Sequence, residues 1–261
     1  KLSRMKKFLG LLAAVVMMFT LSACGDPATT GSASKDKEKV EVGEKAEVKL
    51  TEGNFFDVLM SSQVAAGSSR MVMNMAMGGE TMQMDARVQL AENLEDLAMT
   101  MSMDMGIAQT ELILVDGFMY MNMGELTDNK YIKTDLADEA DKSASEFKDL
   151  AKQMDPAEQL KNVKKAKISV KKLGDGGELD GVSTTKWEVT VDTSKMDLDE
   201  NAAALAPKTL TYLMWIGEDN LPRRQTYSIN DVETEILFTE WGHKFKINVP
   251  NADQITESPL A

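Results

Sequence analysis

The sequence predicts an α+β fold, one large antiparallel sheet covering a few helices. Three observations lead there. Apolar and polar residues alternate with a period of two through most of residues 71–123, and strand signals return from 167 to 249. Between these blocks, residues 135–165 carry an apolar stripe at helical spacing. Short turns rich in Gly, Asp and Asn separate the alternating runs, which favours hairpins over crossover helices.

The chain opens with four basic residues, Lys1, Arg4, Lys6 and Lys7, and no acidic one. An apolar run from Phe8 to Thr20 follows, then Leu21-Ser22-Ala23-Cys24-Gly25. A basic segment, a short apolar segment and small residues before a cleavage point make a secretory signal. The run falls short of the ~20 residues that a spanning helix needs. Leu21, Ser22 and Ala23 before Cys24 fit a lipobox, in which the thiol takes a diacylglycerol and the chain is cut in front of it. Residues 1–23 are therefore expected to be a lipoprotein signal peptide. Cys24, the sole cysteine, is expected to be lipidated and to anchor the chain on the extracytoplasmic face of the cell membrane. Residues 24–47 lack aromatics and read as a flexible tether.

The folded domain is expected over 48–252, with a tail at 253–261. Thr51 is a plausible N-cap, and Phe55, Phe56, Leu59, Met60 and Val64 recur at helical spacing, predicting a helix over 51–66. The period then becomes two. Met71, Met73, Met75 and Met77 alternate up to a Gly78-Gly79 turn, Met82 to Leu90 run back to a turn near Asn93, and Leu97 to Met105 follow. Leu112–Val115 and Phe118–Met123 form a hairpin over Asp116-Gly117. Asp135 to Lys165 reads as helical, with Ala140, Ala144, Phe147, Leu150 and Met154 in a stripe and Asp155-Pro156 opening a second segment. Lys167–Leu173 and Gly181–Asp192 then pair across the loop Gly174-Asp175-Gly176-Gly177. Residues 193–207 read as irregular. Thr209–Ile216 and Leu221–Ile229 form a hairpin, and Val232–Glu240 and Lys244–Val249 finish the sheet.

Charge narrows the partners. The whole chain carries a formal −13. Without residues 1–23 it holds 25 Lys+Arg against 42 Asp+Glu, or −17. Such a surface repels nucleic acid and anionic headgroups. With no second cysteine there is no internal disulfide, and a packed core of about 210 residues must supply stability. A monomer is expected.

On these elements the chain resembles the LolA/LppX-type (LppX/LprG-like) lipid-carrier lipoproteins of bacterial envelopes, over about residues 50–250. The likeness rests on element order and on three phrases. Asp116-Gly117-Phe118-Met119-Tyr120-Met121 with Tyr131-Ile132-Lys133 looks like the central hairpin. Leu213-Met214-Trp215-Ile216 with Leu221-Pro222-Arg223-Arg224 looks like a short strand, an acidic turn and a Leu-Pro-x-Arg return. Phe238-Thr239-Glu240-Trp241-Gly242 up to Val249-Pro250 looks like the closing strands. The resemblance implies a half-open barrel around the helices, with an apolar cavity for an acylated lipid or lipoglycan.

Methionine is the compositional oddity: there are 20, and 14 of them lie between Met60 and Met123. Three readings compete. Met can fill a core, since it is adaptable, although Val, Ile and Phe suit strands better. It can line a trough for acyl chains, where burial stabilises by ~0.8 kcal/mol per CH₂. Or its thioethers can hold copper(I). The acyl-chain reading fits the resemblance. It assigns the cavity to Met71, Met73, Met75, Met82, Met84, Met99, Met101 and Met103, closed by Phe55, Phe56 and Leu59. The rival is a filled core whose surface binds protein or envelope polymer.

No catalytic constellation emerges. The single histidine, His243, has no nucleophile elbow to serve. Asp175, Glu178 and Asp180 lack the EF-hand spacing, and Asp197, Asp199 and Glu200 read as solvated. Neither a metal, a cofactor nor an enzymatic activity is expected. Trp187, Trp215 and Trp241 are expected in the core or at a cavity rim.

Overall fold

The computed structural model describes residues 48–77, 80–90, 97–104, 109–138, 144–145, 161, 163–196, 206–230 and 232–256. The signal segment, Cys24 and the tether lie outside these residues. So do the Gly78-Gly79 and Asn93 turns, Asp197, Asp199 and Glu200, and most of the helical stretch expected at 135–165. Of that stretch, 144–145, 161 and 163–166 are helical. Asp135 is not, because it closes a strand.

Among the described residues, the elements complete enough to bound are one α-helix, α1 (Phe55–Ala66), and twelve strands. These are β1 (Ser68–Met77), β2 (Glu80–Gln89), β3 (Ala98–Asp104), β4 (Gln109–Val115), β5 (Phe118–Asn122) and β6 (Tyr131–Asp135), followed by β7 (Lys167–Leu179), β8 (Val182–Asp192), β9 (Thr209–Gly217), β10 (Pro222–Ile229), β11 (Val232–Thr239) and β12 (Ile255–Thr256). All twelve belong to one sheet, ordered β12-β6-β5-β4-β3-β2-β1-β11-β10-β9-β8-β7. Sequential hairpins build two meanders, and β1 joins them by pairing with β11. The α+β class and the single sheet agree with the sequence reading. One pairing is parallel, that of β12 with β6.

Four details depart from expectation. The helix starts at Phe55, with Asn54 as its N-cap residue. Thr51 sits a turn earlier, and its backbone N–H donates to Asn54 Oδ1. Met60 is half-buried and Val64 is exposed, because α1 turns Phe55, Phe56, Val58, Leu59 and Gln63 inward. The glycine-rich segment 174–177 is not a loop. β7 runs through it with register shifts at 172/174 and 175/177, and the turn is Asp180-Gly181. Both of its residues take left-handed backbone, at φ 53° and 70°, the requirement of a two-residue type I′ hairpin. Finally, residues 244–249 form no strand and no pairing in the sheet.

The sheet has one apolar face. Two clusters of buried residues lie on it. The larger joins α1, through Phe55, Phe56 and Leu59, to β1, β2 and β7–β11. The smaller holds Leu97, Leu112, Leu114, Met119, Leu136 and Ala144. The opposite face carries ion pairs, Arg70 with Asp85 at 2.6 Å and Arg224 with Glu235 at 2.6 Å, and buries Val115 and Tyr120 on β4 and β5.

Candidate functional site

Register places the expected cavity residues in cross-strand rows on the apolar face. The first row runs Val189, Tyr212, Tyr227, Thr234, Met75, Met82 from β8 to β2. The second runs Trp187, Met214, Gln225, Ile236, Met73, Met84, Met103 from β8 to β3. A third runs Phe238, Met71, Ala86, Met101, Leu112, Met121 from β11 to β5. A fourth runs Val88, Met99, Leu114, Met119 from β2 to β5. A period of two on paired strands makes these rows inevitable once the register is set.

The methionines divide by burial. Met71, Met73, Met75 and Met84 are buried, Met73 and Met84 at 1 % exposure. Met82, Met99, Met101 and Met103 are half-buried on the same face. The larger cluster gathers Phe55, Phe56, Leu59, Met71, Met73, Met75 and Met84, with Met82, Met101 and Met103 against it. Met99 packs on the smaller cluster, and Met101 touches both. The structure therefore brings all eleven residues to one face. Burial fades from β1 toward β3.

Of the three tryptophans, Trp187 lies in the core and Trp241 is half-buried against its edge. Trp187 packs on Phe55 with ring centroids 5.2 Å apart. Trp241 stacks on Phe238 and its indole N–H donates to the carbonyl of Pro222 at 2.9 Å. Trp215 is a correction: it lies on the outer face, between Lys186 Nζ at 4.8 Å and Arg224 Cζ at 4.7 Å from its ring. Its inward neighbour Met214 takes the core position instead.

Polar groups on the inner face escaped the sequence reading. Gln225 is 1 % exposed, within the second row between Met214 and Ile236. Tyr212 and Tyr227 pair across β9 and β10 in the first row, and burial pushes both phenols well above their ordinary range. On the outer side of the sheet, burial and then a 2.5 Å hydrogen bond to Glu111 push the Tyr131 phenol up to about 12. Gln225 follows Arg223 and Arg224 in sequence, so it reads as a continuing polar run. The signal for an inward Gln was the strict alternation of Arg223, Gln225 and Tyr227 with the residues between them.

Asp175, Glu178 and Asp180 are not gathered. No cluster of three or more His, Cys, Asp or Glu residues suited to a metal ion occurs among the described residues. His243 lies exposed beyond β11, its carbonyl accepting from Ser68 Oγ. No described helix is long and apolar enough to cross a membrane.

Solved structures match this architecture. LprF from Mycobacterium bovis matches at a TM-score of 0.52 and 16% identity, over 77% of this chain and 99% of that one. The lipoprotein LppX from Mycobacterium tuberculosis matches at a TM-score of 0.50 and 13% identity, over 76% and 100%. The chain has the LppX/LprF fold. The LppX-type fold accounts for the single sheet, the two meanders and the helix on the inner face. No protein-family model matches the chain, and no curated protein matches its sequence.

Proposed function

We propose that this protein is a non-enzymatic, membrane-anchored lipoprotein that holds an acylated lipid or lipoglycan on the inner face of its sheet, for carriage outside the cytoplasmic membrane. The observation that carries this reading is the graded methionine face. A core built for uniqueness is close-packed throughout. Here the rows that are tightly buried at Met84 and Ala86 continue into the half-buried Met103 and Met101, and Met99 beside them is half-buried too. An apolar strip left partly uncovered is a surface that gains from an apolar occupant. Methionine suits it, because an unbranched side chain re-packs cheaply around chains of different length. The LppX-type fold and the lipobox at Cys24 support the same reading.

Mass spectrometry of the full chain purified from its host under native conditions tests it. Co-purifying acylated lipid, lost on solvent extraction, is the expected result. Repeated isolation without lipid, together with no uptake of fatty acid or acylglycerol from vesicles, refutes it.

A further inference from the structure

The stretch 161–173 holds six lysines, Lys161, Lys164, Lys165, Lys167, Lys171 and Lys172, and no acidic residue. All six are exposed. They sit in a chain that, after residue 23, carries 19 other basic residues against 42 acidic ones. Lys161, Lys164 and Lys165 lie on the helical residues that lead into β7, and the other three on β7 itself, the last strand of the sheet. Exposed ion pairs engage two of the six, Lys164 with Asp57 of α1 and Lys171 with Glu188 of β8. Asp175, Glu178 and Asp180 follow only toward the β7–β8 turn.

The same edge exposes two large apolar side chains, Ile168 at 53 % and Leu173 at 49 %. Each is a residue that a register shift leaves without a partner, because pairing with β8 passes from Lys167 to Ser169 and from Lys172 to Gly174. Lysines adjoin both: Lys167 precedes Ile168, and Lys171 and Lys172 precede Leu173. Lysines and bulges are enough to keep an edge strand from pairing with another chain. Exposing Ile and Leu there adds nothing to that purpose and forgoes their burial. A second copy is a poor occupant, since it would set lysines against lysines. Apolar side chains beside long basic ones match a bilayer interface, where the first enter the headgroup boundary and ammonium groups reach lipid phosphates.

The chain also enters the domain on this side. Glu52 Oε1 accepts from the backbone N–H of Lys172 at 3.3 Å, and the Val48 carbonyl accepts from Asn220 Nδ2 at 3.0 Å, at the β9–β10 turn. Cys24 lies 24 residues before Val48, and a flexible chain of that length averages about 25–30 Å end to end. Resting on the membrane anchor proposed above, we infer that the β7 edge is a bilayer-contact surface. Ile168 and Leu173 enter the headgroup region of an anionic leaflet, and the lysines beside them meet its phosphates. The acidic remainder of the surface is repelled by the same leaflet, so the contact fixes how the domain lies over the membrane.

The lipidated chain, purified from its host in detergent and reconstituted on vesicles, tests this. With lipid on the sole native cysteine, Leu173→Cys takes a nitrobenzoxadiazole label at that position alone. On phosphatidylcholine vesicles holding about a third phosphatidylglycerol, the label should be about threefold brighter than on phosphatidylcholine alone, doxyl-lipids should quench it, and about 0.5 M NaCl should reverse the gain. Combining Lys167→Gln, Lys171→Gln and Lys172→Gln should abolish the response with an unchanged circular-dichroism melt, and the salt reversal makes the same test without those changes. Leu126→Cys labels an apolar residue 71 % exposed, between β5 and β6 with Glu125 and Asp128 close by in sequence, and should stay silent. A label at 173 that ignores phosphatidylglycerol, or one at 126 that responds equally, overturns the contact. Brightening with soluble polyglutamate in place of phosphatidylglycerol overturns it in favour of an acidic polymer. A chain that does not float with the vesicles overturns the anchor on which the inference rests.

Discussion

Substituting alanine at two positions of one row separates a filled core from a lipid-bearing face. Met73 and Met103 share a row, two strands apart. Met73 is 1 % exposed between Ile236 and Met84. Removing a fully buried Met side chain loses its transfer free energy and leaves a void, about 3 kcal/mol within the range for Met→Ala. For a domain of this size each kcal/mol lowers the midpoint by about 2–4 °C, so Met73→Ala should melt about 6–12 °C below the wild type. Met103 is only half-buried. Its truncation leaves no sealed void and should cost about 1 kcal/mol, or about 2–4 °C. Lipid uptake should show the reverse order: Met103→Ala removes wall from the uncovered strip and should lower fatty-acid uptake severalfold, whereas Met73→Ala should lower it less. Circular-dichroism melts of lipid-free protein and vesicle-extraction assays on the same preparations check both halves. Equal losses of stability at the two positions, with uptake untouched by Met103→Ala, would refute the argument, because Met103 would then be ordinary core.

Further outcomes follow from other sites. Arg223 is buried at the β9–β10 turn, with Nη2 at 2.6 Å from Asp219 and Nη1 donating to the carbonyl of Leu221; Arg223→Ala should destabilise by about 2 kcal/mol in urea titration. A Cβ on Gly176 would fall 2.6 Å from Thr184 Oγ1 and 2.8 Å from Trp215 Cδ1, so Gly176→Ala should cost about 1–3 kcal/mol by overpacking, read as a lower thermal midpoint. The hydrogen bond and charge of Arg70 hold the Asp85 carboxyl below the usual carboxylate range. Its folded pKa lies under its unfolded one, so this stabilisation is complete at neutral pH and is lost as pH falls below about 4; Asp85→Asn should flatten that part of the acid unfolding profile. Cys24→Ser in the host should abolish metabolic palmitate labelling and move the protein from the membrane to the soluble fraction.

Most of the sheet could be read from alternation alone. Met71–Met77, Met82–Leu90 and Phe118–Met123 became strands in the expected order because one face of each is buried, and a one-residue slip would reverse every side chain. What failed had local physical reasons. Four residues of Gly and Asp at 174–177 look like a turn, yet bulges absorb them, and Gly176 is needed where the strand passes Trp215. The true turn, Asp180-Gly181, carried the stronger hairpin signal and was read instead as the start of a strand. Lys244–Val249 alternates correctly, but pairing partners decide strands, and β11 already pairs with β10 and β1. Two-residue β12 is too short to carry any period. For the candidate site, the methionines were legible by type and spacing. Their division into buried and half-buried sets depends on packing from elements distant in sequence, which alternation does not carry. The inward Gln225 was hidden by its polar neighbours, because no composition rule marks one amide among arginines as internal.

The sheet ends at β7 on one side and β12 on the other without the two meeting among the described residues. A closed barrel has its girth fixed by strand number and stagger. An open one does not: its curvature is the sum of small twists between neighbours, each free to relax by a few degrees. On the proposed lipid-binding reading, a ligand of greater bulk would be met by easing the whole arc slightly rather than by breaking strand pairs. On that reading, the width of what the molecule accepts is then set by the elasticity of the sheet.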